Sequence, residues 1–287
     1  MSDTARVLTF DRAPDLRVIF AKAVIPSRNR SRTLPAVTAT RAGVAVDGAH
    51  VSRFARVCGI VLRDHLPLTY PHLLAFPLQM AVMSRPDFPF KLVGLVHTEN
   101  VIDVHRPIGV GERLDITVRA QDLRPHRRGR EVDLLSEVSV AGEPVWRGVS
   151  TYLARGKGDE SATTAPSPPV EDLRAGPPTS VWALPDSTGR RFAAVGGDWN
   201  PIHVHRLTAK PLGFASCIVH GMFTYSKSLG ELGSAVPAVG RSAVWFRKPM
   251  LLPATAEFRA APDRLRAMVV EPGSDREHLV LQNAPAG

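Results

Sequence analysis

Three short segments of the chain recur, in the same order, roughly 140 residues further on. Phe54-Ala55-Arg56-Val57-Cys58-Gly59 is echoed by Phe192-Ala193-Ala194-Val195-Gly196-Gly197, an offset of 138. Phe76-Pro77-Leu78-Gln79-Met80 aligns with Ile218-Val219-His220-Gly221-Met222, and His105-Arg106-Pro107-Ile108 with Arg247-Lys248-Pro249-Met250, both at 142. A near-constant offset over three matches requires two copies of one supersecondary unit. Each copy reads the same way. An early helix starts near Asp47 or Asp186, both suited to capping. A second, more apolar helix follows, over Phe76–Met83 or Gly221–Leu232, and a run of strands separated by Gly-bearing turns closes the copy. Helix first and strands after is an α+β pattern. No GxGxxG follows a strand and no GxxxxGK[ST] occurs, so neither a dinucleotide fold nor a P-loop is expected.

Composition sets the boundaries. Residues 155–180, GKGDESATTAPSPPVEDLRAGPPTS with its flank, are rich in Pro, Ser, Thr and Gly and read as an interdomain linker. The expected organisation is an N-terminal extension (1–30, loosely ordered at its very start), a first domain (31–154), the linker, and a second domain (181–287). No apolar run approaches the ~20 residues of a membrane span, and the N-terminus lacks a signal-peptide apolar region. Cys58 and Cys217 sit in apolar contexts and read as buried thiols. A cytoplasmic location follows by default. The net charge of +9 suits an anionic partner. Its densest cluster, Arg124, Arg127, Arg128 and Arg130, has no interleaved aromatics and reads as a solvated hairpin tip, not a nucleic-acid groove.

The informative stretch is Gly196-Gly197-Asp198-Trp199-Asn200-Pro201-Ile202-His203. The glycines end a helix, and Asn200-Pro201 forces a tight turn. A carboxylate, an amide and an imidazole thus fall together on irregular backbone, and the first and last of them can hold a water as an acid–base pair. His220-Gly221-Met222 opens a helix whose first N–H groups lack internal partners and can hold a developing oxyanion. His203 and His205 have no third and fourth ligand at a recognised spacing, so no metal is expected.

The order Asp-x-Asn-Pro-x-His, then Gly213-Phe214, then His220-Gly221-Met222, resembles the hydratase motif of the MaoC-like family. His97-Thr98-Glu99-Asn100, Arg106-Pro107-Ile108 and Lys248-Pro249-Met250-Leu251-Leu252-Pro253-Ala254-Thr255 extend the likeness over the chain, towards the mycobacterial-type 3-hydroxyacyl-thioester dehydratases. The resemblance implies a double hot-dog fold, two helix-wrapped antiparallel sheets forming a pseudo-dimer. It also implies a hydro-lyase of fatty-acid metabolism, acting on (R)-3-hydroxyacyl and trans-2-enoyl thioesters. Asp198 and His203 would be the catalytic pair, Asn200 would orient the pair or its water, and Gly221 with His220 would form the oxyanion and substrate site. No cofactor is implied. The substrate would ride on CoA or acyl carrier protein, whose phosphates Arg247, Lys248 or Arg106 could meet. The protein would be a monomeric pseudo-dimer or a homodimer. The first copy lacks the motif, since Gly59 precedes Ile60 and Leu78-Gln79 stands in place of His220-Gly221, so it is expected to be degenerate. A hot-dog acyl-thioesterase and a non-catalytic acyl-thioester-binding subunit are the alternatives.

Overall fold

The computed structural model describes residues 6–23, 31–163 and 166–286. In chain order, β1 (Arg6–Thr9), α1 (Leu16–Ala23) and β2 (Val37–Ala45) lead to α2 (Gly48–Cys58) and α3 (Tyr70–Met83). Strands β3 (Leu95–Val104), β4 (Arg113–His126), β5 (Gly129–Val140) and β6 (Glu143–Arg155) follow. Then come β7 (Ser180–Leu184), α4 (Thr188–Gly196), two single-turn helices α5 (Pro201–Val204) and α6 (Arg206–Ala209), and α7 (Gly221–Leu232). The chain closes with β8 (Gly240–Phe246), β9 (Ala254–Ala260), β10 (Arg266–Val270) and β11 (Glu277–Pro285). Two compact units result, and they do not follow chain order: Met1–Val46 with Tyr70–Ala165, and Asp47–Thr69 with Pro166–Gly287. Among the described residues, no helix is long and apolar enough to cross a membrane.

In the first unit the strands run β1-β2-β4-β5-β6-β3, antiparallel except for the β1–β2 pair. Leu114, Ile116 and Val118 of β4 alternate into the core, the period that one buried sheet face demands. α3 packs against β2, β4 and β5 and is buried over most of its length, as a central helix must be. It begins at Tyr70, six residues before the expected start, because Pro71 falls in the first turn, where its missing N–H is not needed. The segment read as an extension contributes β1 and α1, while the expected loose start, residues 1–5, lies outside the described residues. Arg127 and Arg128 form the exposed β4–β5 tip, as expected of a solvated hairpin. Arg124 is paired with Glu131 and Asp133, and Arg130 lies over the Phe90 ring.

The core of this unit is polar at one end. Buried Gln79 donates to Ser136 and Ser150 and accepts from the Tyr152 hydroxyl. Beside it, His72 stacks on His97 and His97 on Tyr152, with centroids 6.0 and 4.7 Å apart. Burial pushes His72 down to about 4, and burial together with neighbouring His72 pushes His97 down to about 3. The unfolded chain therefore takes up more protons than the folded one below pH 6.5. Stability from these residues is complete above pH 6.5 and is lost as pH falls toward 4. For His72 alone this is roughly 3 kcal/mol. Denaturant titrations of wild type and His72→Leu at pH 7 and pH 4 should show a smaller pH-dependent loss in the variant. Equal losses would contradict this account.

In the second unit the strands run β8-β11-β10-β9-β7, all antiparallel. α7 is buried along most of its length and lies on β11. Each unit is thus a helix held by an antiparallel sheet, and the fold is the α+β double hot-dog. α2 buries Val51, Phe54, Ala55 and Cys58, the i, i+3, i+4, i+7 stripe of an amphipathic helix. Asp47 caps it by accepting from the Ala49 N–H at 2.8 Å. Asp186 has no such role, since α4 starts two residues later and its N-cap, Ser187, makes no side-chain cap bond. The repeat is visible at the helix ends: Gly59 and Gly197, 138 residues apart, both cap in the left-handed conformation, at φ +71° and +75°. The repeat-related Phe54 and Phe192 touch, with centroids 6.4 Å apart. Of the Pro/Ser-rich stretch, residues 164–165 lie outside the description. Its Val170 and Leu173 are buried against Ala261, Met268, Val270 and Val280, and the Asp172–Arg266 and Arg174–Glu277 ion pairs flank them, so this part of it is seated on the sheet.

Candidate active site

Asp198 follows the cap that ends α4. Instead of the expected open turn, the chain makes a one-turn helix, α5, with Asn200 as N-cap and Pro201 at its first position. The Asn200 side chain accepts from the Ile202 N–H at 3.4 Å, so it holds α5. Its backbone N–H donates to Asp198 Oδ1 at 3.1 Å, so it orients the carboxylate. His203, in the last turn of α5, is buried. Its Nδ1–H donates to the Ile218 carbonyl at 2.8 Å. In the neutral ring Nε2 therefore carries the lone pair, and it faces Asp198 Oδ2 at 3.9 Å. That separation is too long for a hydrogen bond and suits a water held by both atoms.

His220 caps α7 and completes the group. Its Nε2–H donates to the Asp198 backbone carbonyl at 2.9 Å, and its ring stacks on His203 with centroids 3.7 Å apart and planes inclined by 24°. Gly221 follows as the first residue of α7, where an N–H has no partner within its own helix. A Cβ at Gly221 would stand 2.9 Å from the Phe246 ring, which explains glycine there. The equivalent position in the first unit, Gln79, lies in the middle of α3. Its N–H is a helix-interior donor, so no helix start is presented at that position.

Burial sets the charges. It pushes the Asp198 carboxyl up, against the pull of His203 and of the Asn200 N–H. It pushes His203 down, against Asp198 and the Ile218 carbonyl, and it pushes His220 well down, with His203 adding to the effect. The site therefore holds neutral imidazoles beside a carboxyl with raised proton affinity, the opposed tuning that acid–base chemistry uses.

His203 gains in space a ligand-type neighbour that no recognised sequence spacing announces. Asp198, His203 and His220 offer ligand-type atoms all within 4.8 Å of one another, although His220 is 17 residues away in sequence. Their arrangement fits a metal ion poorly. Two stacked rings confine their lone pairs to nearly parallel planes, 24° apart, that do not meet at one ion close to both nitrogens. Moreover, His203 Nδ1 and His220 Nε2 already donate to carbonyls. His205 points elsewhere, accepting from the Leu207 N–H as the cap of α6.

Other sequence candidates lie apart from this group. Arg247 and Lys248 follow Phe246, the residue packed on Gly221. Arg247 donates to Ser167 and lies 3.9 Å from Glu277, and Lys248 is exposed. Arg106 belongs to the first unit and is held by Glu112 through both oxygens and by Glu143. Two carboxylates already neutralise its charge. One positioning residue escaped the sequence reading. A Cβ at Gly189, in the first turn of α4, would stand 1.9 Å from the His203 carbonyl oxygen, so only glycine lets α4 and α5 approach this closely. A glycine inside a helix is itself a signal of such a contact.

Residues 167–269 match the MaoC like domain family. The 3-hydroxyacyl-thioester dehydratase X of Mycobacterium tuberculosis is 41% identical over 241 residues, 84% of this chain and 86% of that protein. The crystal structure of HtdX from Mycobacterium tuberculosis has a TM-score of 0.76 at 36% identity, covering 87% of this chain and 100% of that one. A MaoC-like dehydratase from Phytophthora capsici shares the fold, with a TM-score of 0.69 at 16% identity over 86% of this chain and 95% of its own. Identity of this extent over nearly the whole length, joined to the ordered Asp198–His203 turn and the Gly221 helix start, shows that the chain belongs to the MaoC-like dehydratase family.

Proposed function

We propose that the protein interconverts (R)-3-hydroxyacyl thioesters and trans-2-enoyl thioesters in fatty-acid metabolism, by removing or adding water. The observation that carries this reading is the 3.9 Å gap between Asp198 Oδ2 and the lone pair on His203 Nε2. A water held there attacks the β-carbon of an enoyl thioester. The carbon–oxygen bond forms as the π pair moves toward the α-carbon and the thioester oxygen. The Asp198–His203 pair takes one proton from the water and returns one to the α-carbon, so its own charge is unchanged over the cycle. The Gly221 N–H holds the enolate-like oxygen, with His220 as the cap that aims its helix. Dehydration runs the same steps in reverse. The thioester itself acidifies the α-hydrogen, so the chemistry asks for neither a redox cofactor nor a metal.

The carrier is CoA or acyl carrier protein. Arg247 and Lys248 are the better placed candidates for its phosphates, since Arg106 is already doubly paired. The first copy, with Ile60 at the place of Asp198 and helix-interior Gln79 at the place of Gly221, serves a non-catalytic role. A cytoplasmic site of action fits Cys58 and Cys217, both free and buried.

One assay tests the reading. Crotonyl-CoA and longer enoyl-CoA esters are mixed with the protein while the conjugated absorbance and free thiol are followed together. Absorbance loss without thiol release is expected. Thiol release would mean a thioesterase, and neither signal would mean a binding subunit.

A further inference from the structure

We propose, resting on the hydratase reading, that His220 is the positioning residue that joins the acid–base pair to the oxyanion donor and keeps the base in its working form. Three contacts of this one residue carry the inference. Its Nε2–H holds the Asp198 backbone. Its ring covers one face of His203 at 3.7 Å. Its own carbonyl accepts from the Phe223 and Thr224 N–H groups at 3.1 and 3.2 Å, which fixes the start of α7 and with it the Gly221 amide. Acid, base and oxyanion donor thus share one anchor.

The choice of an imidazole is otherwise hard to explain. His220 is 3% exposed, and its Nδ1 is buried with no hydrogen-bond partner, a state that is costly for a polar atom. An aromatic hydrocarbon would fill the space between Phe192, 5.0 Å away, and His203 without that cost. Among rings of this size, only an imidazole supplies both a flat face for His203 and an in-plane N–H for Asp198. The flat face also matters for charge. The charge of a protonated His203, spread over its ring, would be shut off from water on the face that His220 covers, which disfavours the imidazolium. The other groups around His203 do not substitute for this effect. Asp198 favours the charged form, Arg190 donates to the Val204 carbonyl, and His205 is committed to its cap.

Two variants separate the two duties. His220→Gln keeps an N–H near the Nε2 position and removes the ring. His220→Phe keeps the ring and removes the N–H. Circular dichroism and the thermal midpoint establish that each is folded. Two quantities are then read: the pH profile of kcat on crotonyl-CoA, and the titration of the His203 imidazole by NMR, its resonance identified by its absence from His203→Ala. In His220→Gln the His203 titration and the acid limb of kcat should move up by about one pH unit. In His220→Phe both should stay in place, while kcat falls roughly a hundredfold with KM little changed. A His203 titration unmoved in folded His220→Gln, or a kcat within twofold of wild type in folded His220→Phe, would overturn the proposal. Should wild type not hydrate crotonyl-CoA at all, the hydratase reading falls, while the NMR titration still decides whether His220 holds His203 neutral.

Discussion

Replacing His203 with alanine should lower enoyl-thioester hydration by about a thousandfold, within the range that general acid–base groups contribute. The imidazole has two jobs that no neighbour can take over. Nε2 is the lone pair facing Asp198, and Nδ1–H ties α5 to the Ile218 carbonyl. His220, the other imidazole at the site, offers no replacement base, because its Nε2–H is directed at a backbone carbonyl. Loss of the Ile218 bond should cost only about 1 kcal/mol of stability, so the protein should stay folded and the deficit should lie in kcat. Initial rates of wild type and His203→Ala on crotonyl-CoA at pH 7 decide the matter. A variant keeping a tenth or more of the activity would show that the base lies elsewhere.

Gly189→Ala should be almost as damaging, without touching a reacting atom. The added methyl would stand 1.9 Å from the His203 carbonyl oxygen and 3.1 Å from its carbonyl carbon. Both are backbone atoms and cannot swing aside, so α4 and α5 must separate. Overpacking of this kind costs about 1–3 kcal/mol, which for a chain of this size lowers the thermal midpoint by roughly 2–10 °C. The larger effect should fall on activity, because any shift of α5 changes the gap that holds the water. A tenfold or greater loss of kcat is expected. The same change at Gly111, where an added methyl meets nothing within 4 Å, should leave both quantities alone. Equal behaviour of the two variants would remove the case for Gly189 as a spacer.

What could be read from the sequence was whatever depends on local chemistry. Asp198, Asn200, Pro201 and His203 lie within six residues of one another, and their turn propensities place them together without knowledge of the fold. The limits of α7 were likewise readable, because glycine at position 221 and an apolar run to Leu232 mark them. The C-terminal strands were legible in pattern for the same reason, since Ala256 and Phe258 alternate inward along β9. Contacts that depend on approach in space were not readable. Gly189 lies 14 residues from His203, and nothing in the intervening segment says that their backbones meet. The stacking of His220 on His203 needs α7 and α5 to arrive at one point from different directions. β1, β2 and β7 were missed because their stability comes from pairing with β4 and β9 more than from their own composition. The start of α3 lies six residues before Phe76 because Pro71 occupies a first-turn position that a helix tolerates.

The placement of α2 bears on how such a chain is made. Its apolar stripe is complete once residue 58 has been synthesised, yet the surfaces that cover it, Phe192 on α4 and the α7 face where Gly230 lets the Gly59 carbonyl approach, are translated more than 130 residues later. Until then a nascent protein holds a sticky helix with nowhere to dock, a client for any holdase that binds exposed apolar surface. For the same reason, scission within the Pro/Ser-rich stretch cannot yield two self-sufficient pieces: the downstream fragment would lack a helix that belongs to its own interior.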